Sequence, residues 1–279
     1  MKRLAYLGPR GTFTNEAAKK FIGNKDVELI PHCEIRTLVE AVANQQEKYG
    51  LVPIENSLEG SVNIILDLLA HKVDLKIQAE ILMPINHNLI GCSGADLSLI
   101  EKVVSHRQAL AQCRDNLKEL IGDFDAVNSD STAQAAHIIQ QKEASWGAVG
   151  SRLVAELNGL DILASNIQDN ESNWTRFVLL SEQDSKQTEN SKTSLVCSPV
   201  KNRPGILYEI LKLFAIQNIN LTKIESRPAR KTLGEYIFFI DFEGDRRDET
   251  VKEILKELEK KTLMLKILGS YRQFKFNEE

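Results

Sequence analysis

The sequence lacks long apolar runs, clustered cysteines and any concentration of charge of one sign. Its four cysteines, Cys33, Cys92, Cys113 and Cys197, are scattered, with no Cys-x-x-Cys pair and no Cys/His set at zinc spacing. That excludes a disulfide framework and a structural metal site, and reads as reduced thiols in a cytoplasmic protein. Lysine and arginine total 35 against 39 acidic residues, a formal net charge of −4, and the densest basic stretch, Arg227 to Lys231, is short. No nucleic-acid footprint follows from that balance. No apolar run approaches the roughly 20 residues that a membrane helix needs, so no membrane partner is expected. The basic opening Met1-Lys2-Arg3 resembles that of a signal peptide, but Gly8-Pro9 interrupts the apolar run behind it before a signal core can form. Gly-x-Gly-x-x-Gly, the P-loop, His-Glu-x-x-His and a Ser-His-Asp set are also absent, so the common dinucleotide, nucleotide and zinc-hydrolase chemistries have no carrier.

What is present is an ordinary globular composition, 42% hydrophobic and 27% charged over 279 residues, of a length that suits about two domains. Over residues 1–181, short apolar runs alternate with helical periodicity. Leu4–Leu7, Val27–Ile30 and Leu51–Ile54 read as strands, with helices over 14–21, 36–48 and 61–70. A second group places strands at 76–81, 88–92, 102–105, 125–128, 146–149, 162–164 and 176–180, with helices over 108–121 and 132–141. The alternation predicts an α/β fold with a largely parallel sheet, divided into two lobes around a cleft. Residues 182–192 carry no large apolar side chain and read as a linker outside any core. Residues 193–279 follow the order βαββαβ, a ferredoxin-like layout with both helices on one sheet face. The turns at Asn202–Gly205 and near 231–234 punctuate it. One edge strand is left free to pair with a second copy.

Three polar segments stand at strand-to-helix junctions, where α/β sheets place ligands, and a fourth stands at the start of a strand. Gly8-Pro9-Arg10-Gly11-Thr12-Phe13-Thr14 is either an anion-binding helix start or an ordinary turn capped by Thr12 or Thr14. Pro53-Ile54-Glu55-Asn56-Ser57 offers substrate hydrogen bonds, or is a turn with Ser61 as the helix cap. Ser105-His106-Arg107-Gln108-Ala109 leads to Gln112 about two helical turns on, and His106 is either an acid–base group or a capping histidine. Asn173-Trp174-Thr175-Arg176-Phe177 sets a hydroxyl beside a guanidinium that suits a carboxylate, or simply starts a strand.

Taken together and in order, Gly8 to Phe13, Pro53 to Ser57, Ser105 to Ala109 and Thr175 to Phe177 resemble the motifs of the prephenate dehydratase family. The tail resembles the ACT domain fused to these enzymes, through Arg203-Pro204-Gly205-Ile206-Leu207 and Glu225-Ser226-Arg227-Pro228. The resemblance covers nearly the whole chain. It departs at Arg107, where the family has proline, and at Ile206 and Tyr208, where many members have smaller residues.

The resemblance implies a two-lobed catalytic domain of periplasmic-binding-protein type followed by a regulatory ACT domain. It implies decarboxylating dehydration of prephenate to phenylpyruvate with no cofactor, feedback inhibition by L-phenylalanine, and a homodimer or homotetramer. Arogenate dehydratase, or an amino-acid sensor without catalysis, are the competing readings. In the catalytic role the resemblance places Thr175, Arg176 and Phe177: Thr175 at the departing hydroxyl, and Arg176 or helix-start amides at a carboxylate. Thr12, Asn56, Ser57, Ser105 and Gln112 would hold the substrate. Gly205, Ile206, Leu207, Glu225, Ser226, Arg227 and Pro228 would hold phenylalanine.

Overall fold

The computed structural model describes residues 2–201, 203–230 and 235–276. Asn202 and the turn expected near 231–234 lie outside the described residues. The first lobe is built from β1 (Lys2–Leu7), α1 (Phe13–Ile22), β2 (Val27–His32), α2 (Ile35–Ala43), β3 (Gly50–Asn56), β4 (Gly60–Ser61), α3 (Asn63–His71) and β5 (Lys76–Pro84). The chain then crosses to a second lobe made of β6 (Asn88–Gly91), β7 (Lys102–His106), α4 (Arg107–Gln112), α5 (Arg114–Ile121), β8 (Asp125–Ser129), α6 (Thr132–Ile139), β9 (Trp146–Gly150), α7 (Arg152–Asn158) and β10 (Asp161–Ala164). It returns to the first lobe as β11 (Trp174–Ser181). The tail adds β12 (Ser191–Pro199), α8 (Ile206–Ile216), β13 (Leu221–Pro228), β14 (Tyr236–Glu243), α9 (Glu249–Glu259) and β15 (Thr262–Lys275), in the expected βαββαβ order.

The sheets are mixed rather than largely parallel. β1 runs parallel to β2 and β3, but β11 is antiparallel to both β3 and β5. The cause is the crossing: β5 leaves toward the second lobe and β11 comes back beside it. In the second lobe β7 is parallel to β8 and β9, while β6 is antiparallel to β9 and β10. Some local boundaries also differ from expectation. The helix expected to reach Lys48 stops at Ala43, and Gln45 takes a positive φ of 59°. Ser61 caps nothing, because Gly60–Ser61 pairs back onto Glu55 and Asn56. The helix expected over 108–121 breaks at Cys113 into α4 and α5.

The larger correction concerns the tail. The last strand was expected to end at Tyr271, yet β15 runs on, and Arg272–Lys275 pair in parallel with Ala79–Leu82 of β5. The result is one ten-stranded sheet in the order β13-β14-β12-β15-β5-β11-β3-β1-β2, with β4 pairing β3 off that path. Gly269 makes the junction possible. A Cβ there would meet the carbonyl oxygen of Ile77 at 2.4 Å, so only glycine lets the strands approach. The sheet face turned away from α8 and α9 packs on the first lobe, and Val196, Ile237, Phe239, Leu268 and Tyr271 share one buried cluster with Leu66, Leu69 and Ile77. Full burial of each such large side chain stabilises by about 1.5–3 kcal/mol. The expected linker also ends early, since Ser191 already belongs to β12 and Lys192 donates to Glu80 at 2.7 Å. Among the described residues no helix is long and apolar enough to cross a membrane.

Candidate active site

Between the lobes lies a cleft of about 360 Å³. The first lobe contributes Thr12, Phe13, Glu55, Asn56, Thr175 and Phe177, and the second contributes His106, Gln108, Gln112 and Thr132. The alternation of β11 explains the choice: Thr175 and Phe177 point to one face and Arg176 to the other. The N-termini of α1, α4 and α6 also open onto the cleft. Each is capped, by Thr12 Oγ1 accepting from Asn15 N (3.3 Å), His106 Nδ1 from Gln108 N (3.3 Å) and Ser131 Oγ from Gln134 N (3.0 Å). Helix starts carry partial positive charge and unpaired amides suited to anions. Among the described residues, no lysine or arginine lines this cleft.

A directed chain of hydrogen bonds runs along the floor. Asn56 Oδ1 accepts from the backbone amides of Leu58 (3.0 Å) and Glu59 (3.1 Å). That fixes which end of the amide is which, a distinction that only the bonding pattern supplies. Asn56 Nδ2 therefore donates, to Thr175 Oγ1 at 2.9 Å and to Asn173 Oδ1 at 2.8 Å. Asn173 Nδ2 in turn donates to Gln112 Oε1 at 3.1 Å, joining the lobes. Because Thr175 Oγ1 accepts from Asn56, its own hydrogen has no acceptor among the described residues and is left for a group in the cleft. His87 Nε2 stands 3.2 Å from the same Gln112 oxygen. Burial lowers the pKa of His87 to about 4 from its ordinary 6.5, against the opposing pull of Gln112, so the ring is neutral near pH 7.

Arg176 is not brought to the cleft. Its guanidinium is buried on the far face of β11, with Nε 2.5 Å from Glu80, NH1 2.6 Å from Asp241 and 3.3 Å from Glu55, and NH2 donating to Tyr271 at 2.9 Å. Burial alone would lower its pKa, but Asp241, Tyr271 and Glu80 raise it well above the ordinary arginine value. Glu80 is fully buried; burial pushes its carboxyl up, and Arg176 and Lys192 outweigh that, leaving it below the usual range. Ser105 and Ser57 are likewise committed elsewhere. Ser105 Oγ is buried and donates to Val149 O at 2.7 Å, while Ser57 Oγ donates to Ser172 O (2.8 Å) and accepts from Trp174 N (2.9 Å). Of the expected substrate-holding residues, Thr12, Asn56 and Gln112 do line the cleft. Sequence reasoning passed over His87, which sits in no periodic pattern, and included Asn173 in the fourth segment without giving its amide a role.

A family model described as prephenate dehydratase matches residues 4–185, and one described as ACT domain matches residues 200–260. The chain belongs to the prephenate dehydratase family. The prephenate dehydratase of Methanocaldococcus jannaschii is 45% identical over 278 residues, 98% of this chain and 99% of that protein. The bifunctional chorismate mutase/prephenate dehydratase of Aquifex aeolicus is 44% identical over 96% of this chain and 73% of its own length. A solved structure of prephenate dehydratase in complex with L-Phe, from Arthrobacter aurescens, superposes with a TM-score of 0.88 at 37% identity, covering 97% of this chain and 89% of that one.

In this dehydratase-family chain the expected regulatory residues divide between the two faces of the ACT sheet. Gly205 takes a left-handed φ of 84° at the start of α8, Ile206 is buried and Leu207 packs into the helix-side core. Ser226, opposite Phe238 in the register, turns to that same side. Glu225 and Arg227 turn to the catalytic domain instead. Arg227 NH2 donates to both oxygens of Asp67 at 3.0 Å and its NH1 to Asn63, while Glu225 accepts from the hydroxyl of Ser61. Lys223, on that same face, reaches Ser61 at 2.6 Å and Glu55 at 3.0 Å, both of which line the cleft.

Proposed function

We propose that this chain is a feedback-regulated prephenate dehydratase of the cytoplasm, releasing phenylpyruvate, carbon dioxide and water from prephenate. The observation that carries the reading is the Asn56–Thr175 bond, which leaves the Thr175 hydroxyl hydrogen free for the departing ring hydroxyl. A threonine is too weak an acid to give up its proton fully at neutral pH, so Thr175 acts as a fixed dipole on the charge that develops there. The substrate's carboxylates take the amides at the starts of α1, α4 and α6. Gln112 and Asn56 orient the ring, and Phe177 forms an apolar wall. Arg176 serves as the tie between the catalytic strand and the ACT sheet rather than as the carboxylate ligand.

L-phenylalanine binds the ACT domain; the Arthrobacter relative was solved in complex with that amino acid. The contacts of Arg227 with Asp67, Lys223 with Glu55 and Arg176 with Asp241 carry its effect to the cleft. Phenylalanine inhibits by binding the less active arrangement of these contacts more tightly. Copies pair through the ACT domains into a dimer or tetramer; the exposed Tyr208 and Ile216 on α8 and Leu263 on β15 supply apolar surface for that pairing.

The test is the rate of phenylpyruvate formation by the full-length chain, from prephenate and from arogenate, with and without L-phenylalanine. Product from prephenate, suppressed by phenylalanine, is expected. Turnover of arogenate alone, or binding of phenylalanine without turnover of either substrate, would replace the reading. A chain cut at the linker is unsuitable, because it would uncover the β5 edge and strip Leu268 and Tyr271 from the first lobe's core.

A further inference from the structure

His87 lies on the outgoing crossing between the lobes and is tied to the returning one. Its backbone amide donates to Gln168 Oε1 at 2.9 Å and its carbonyl accepts from Ile167 N at 2.8 Å. His87 is 3% exposed and lines the cleft, and its ring meets Phe13 edge to face at 5.2 Å. Its Nδ1 is buried with no hydrogen-bond partner. Buried nitrogens are nearly always satisfied, so an orphan in the wall of a site calls for a physical reason.

The reason comes from the direction of the chain of bonds. Gln112 Oε1 already accepts from Asn173, whose own orientation is dictated by Asn56. A carbonyl oxygen can only accept, so His87 must bring a hydrogen on Nε2. A neutral ring then leaves Nδ1 bare, which is the orphan observed. Two donors on one oxygen hold the Gln112 amide with its NH₂ toward the cleft, where Glu59 Oε1 is 3.5 Å away.

We propose that His87 is a positioning residue for the reaction: as the Nε2–H tautomer it pins the Gln112 carbonyl and so aims the Gln112 NH₂ at the substrate. The proposal rests on the reading of Gln112 as a substrate-orienting group. It also explains why the position carries a histidine rather than an apolar side chain: an apolar residue would fill the space beside Phe13 but leave the Gln112 carbonyl held by Asn173 alone.

The test uses the full-length chain and two variants that differ in where they place an amide donor. H87Q sets an NH₂ near the position of Nε2, and H87N sets it near Nδ1, on the wrong side of the ring. H87Q is expected to keep kcat within about threefold of the parent, and H87N to lose about tenfold or more, the scale of one hydrogen bond to a positioned group. Equal loss in both, at equal thermal stability, would reduce His87 to a packing role and overturn the proposal.

A second readout needs no turnover. Long-range ¹⁵N–¹H spectra should show the ring signal that H87Q removes, one of five histidines, with Nε2 protonated and Nδ1 bare. The Gln112 side-chain NH₂ resonances should persist in H87Q and shift or broaden in H87N. A protonated Nδ1, or Gln112 resonances indifferent to both variants, would sink the proposal whatever reaction the chain catalyses. An inactive parent with the expected spectra would instead remove the dehydratase reading and leave the pinned glutamine standing.

Discussion

The two faces of β11 handle charge in opposite ways. On the cleft side, Thr175 belongs to a network of neutral amides and hydroxyls, and the positive potential comes from helix starts. One residue along, Arg176 is sealed among Glu80, Asp241 and Tyr271. A fixed cation in the cleft would pair with Glu59 or Asp130, which line it, and would have to be released before each substrate. Backbone dipoles cost no such reorganisation. On the other face, permanent ion pairing is useful, because it fixes the catalytic strand against the ACT sheet. Alternation along one strand lets a single short segment serve both ends.

That contrast breaks most visibly at Arg176. R176Q is expected to lose about 3–5 kcal/mol of folding stability, the cost of removing one partner from a buried ion network. Denaturant unfolding measures it; a variant that keeps its stability but raises KM for prephenate would return Arg176 to the substrate.

The neutral face can be probed through His87. Its pKa is depressed on folding, so its contribution is fully present above the unfolded value of 6.5 and is lost as pH falls toward about 4. Over that window the unfolded chain takes up a proton that the folded chain refuses. At about 1.4 kcal/mol per pH unit the loss reaches roughly 2 kcal/mol at pH 5. The parent should weaken by that much more than H87Q between pH 7 and pH 5. Parallel profiles for the two would show that the ring is already accessible to protons.

The smallest expected effect lies at the ACT contact. D67N keeps the shape of the Arg227 site but removes its charge, and Asp67 is outside the cleft. Basal turnover should be unchanged, while the inhibitory concentration of phenylalanine shifts about fivefold or more, the low end of ordinary coupling energies. An inhibition curve identical to the parent's would remove the Arg227–Asp67 pair from the regulatory route.

Much of this architecture is legible in the residues. Period-two patterning places Thr175 and Phe177 on one face, and two of the motif segments, Gly8 to Phe13 and Ser105 to Ala109, do stand where a strand gives way to a helix. Thr12 is found as the cap that its position suggests. What was not legible depends on partners far away in sequence. The destination of Arg176 is set by Glu80 and Tyr271, 96 and 95 residues distant. Ser105 looks available at the end of a strand until Val149, 44 residues on, takes its hydroxyl. The run of β15 onto β5 is equally non-local; its local trace is Gly269, whose meaning appears only once Ile77 is beside it. Alternation in β13 would have separated Glu225 and Arg227 from Ser226, but only the packed sheet shows which face meets the catalytic domain.

The central claim is that Thr175, oriented by Asn56, directs its hydrogen at the leaving hydroxyl. Steady-state phenylpyruvate formation by T175A beside the parent tests it most directly. The account predicts a kcat lower by about 10²–10³, as for one lost transition-state donor, with unfolding and phenylalanine binding unchanged. A T175A protein that turns over prephenate at nearly the parental rate would contradict it.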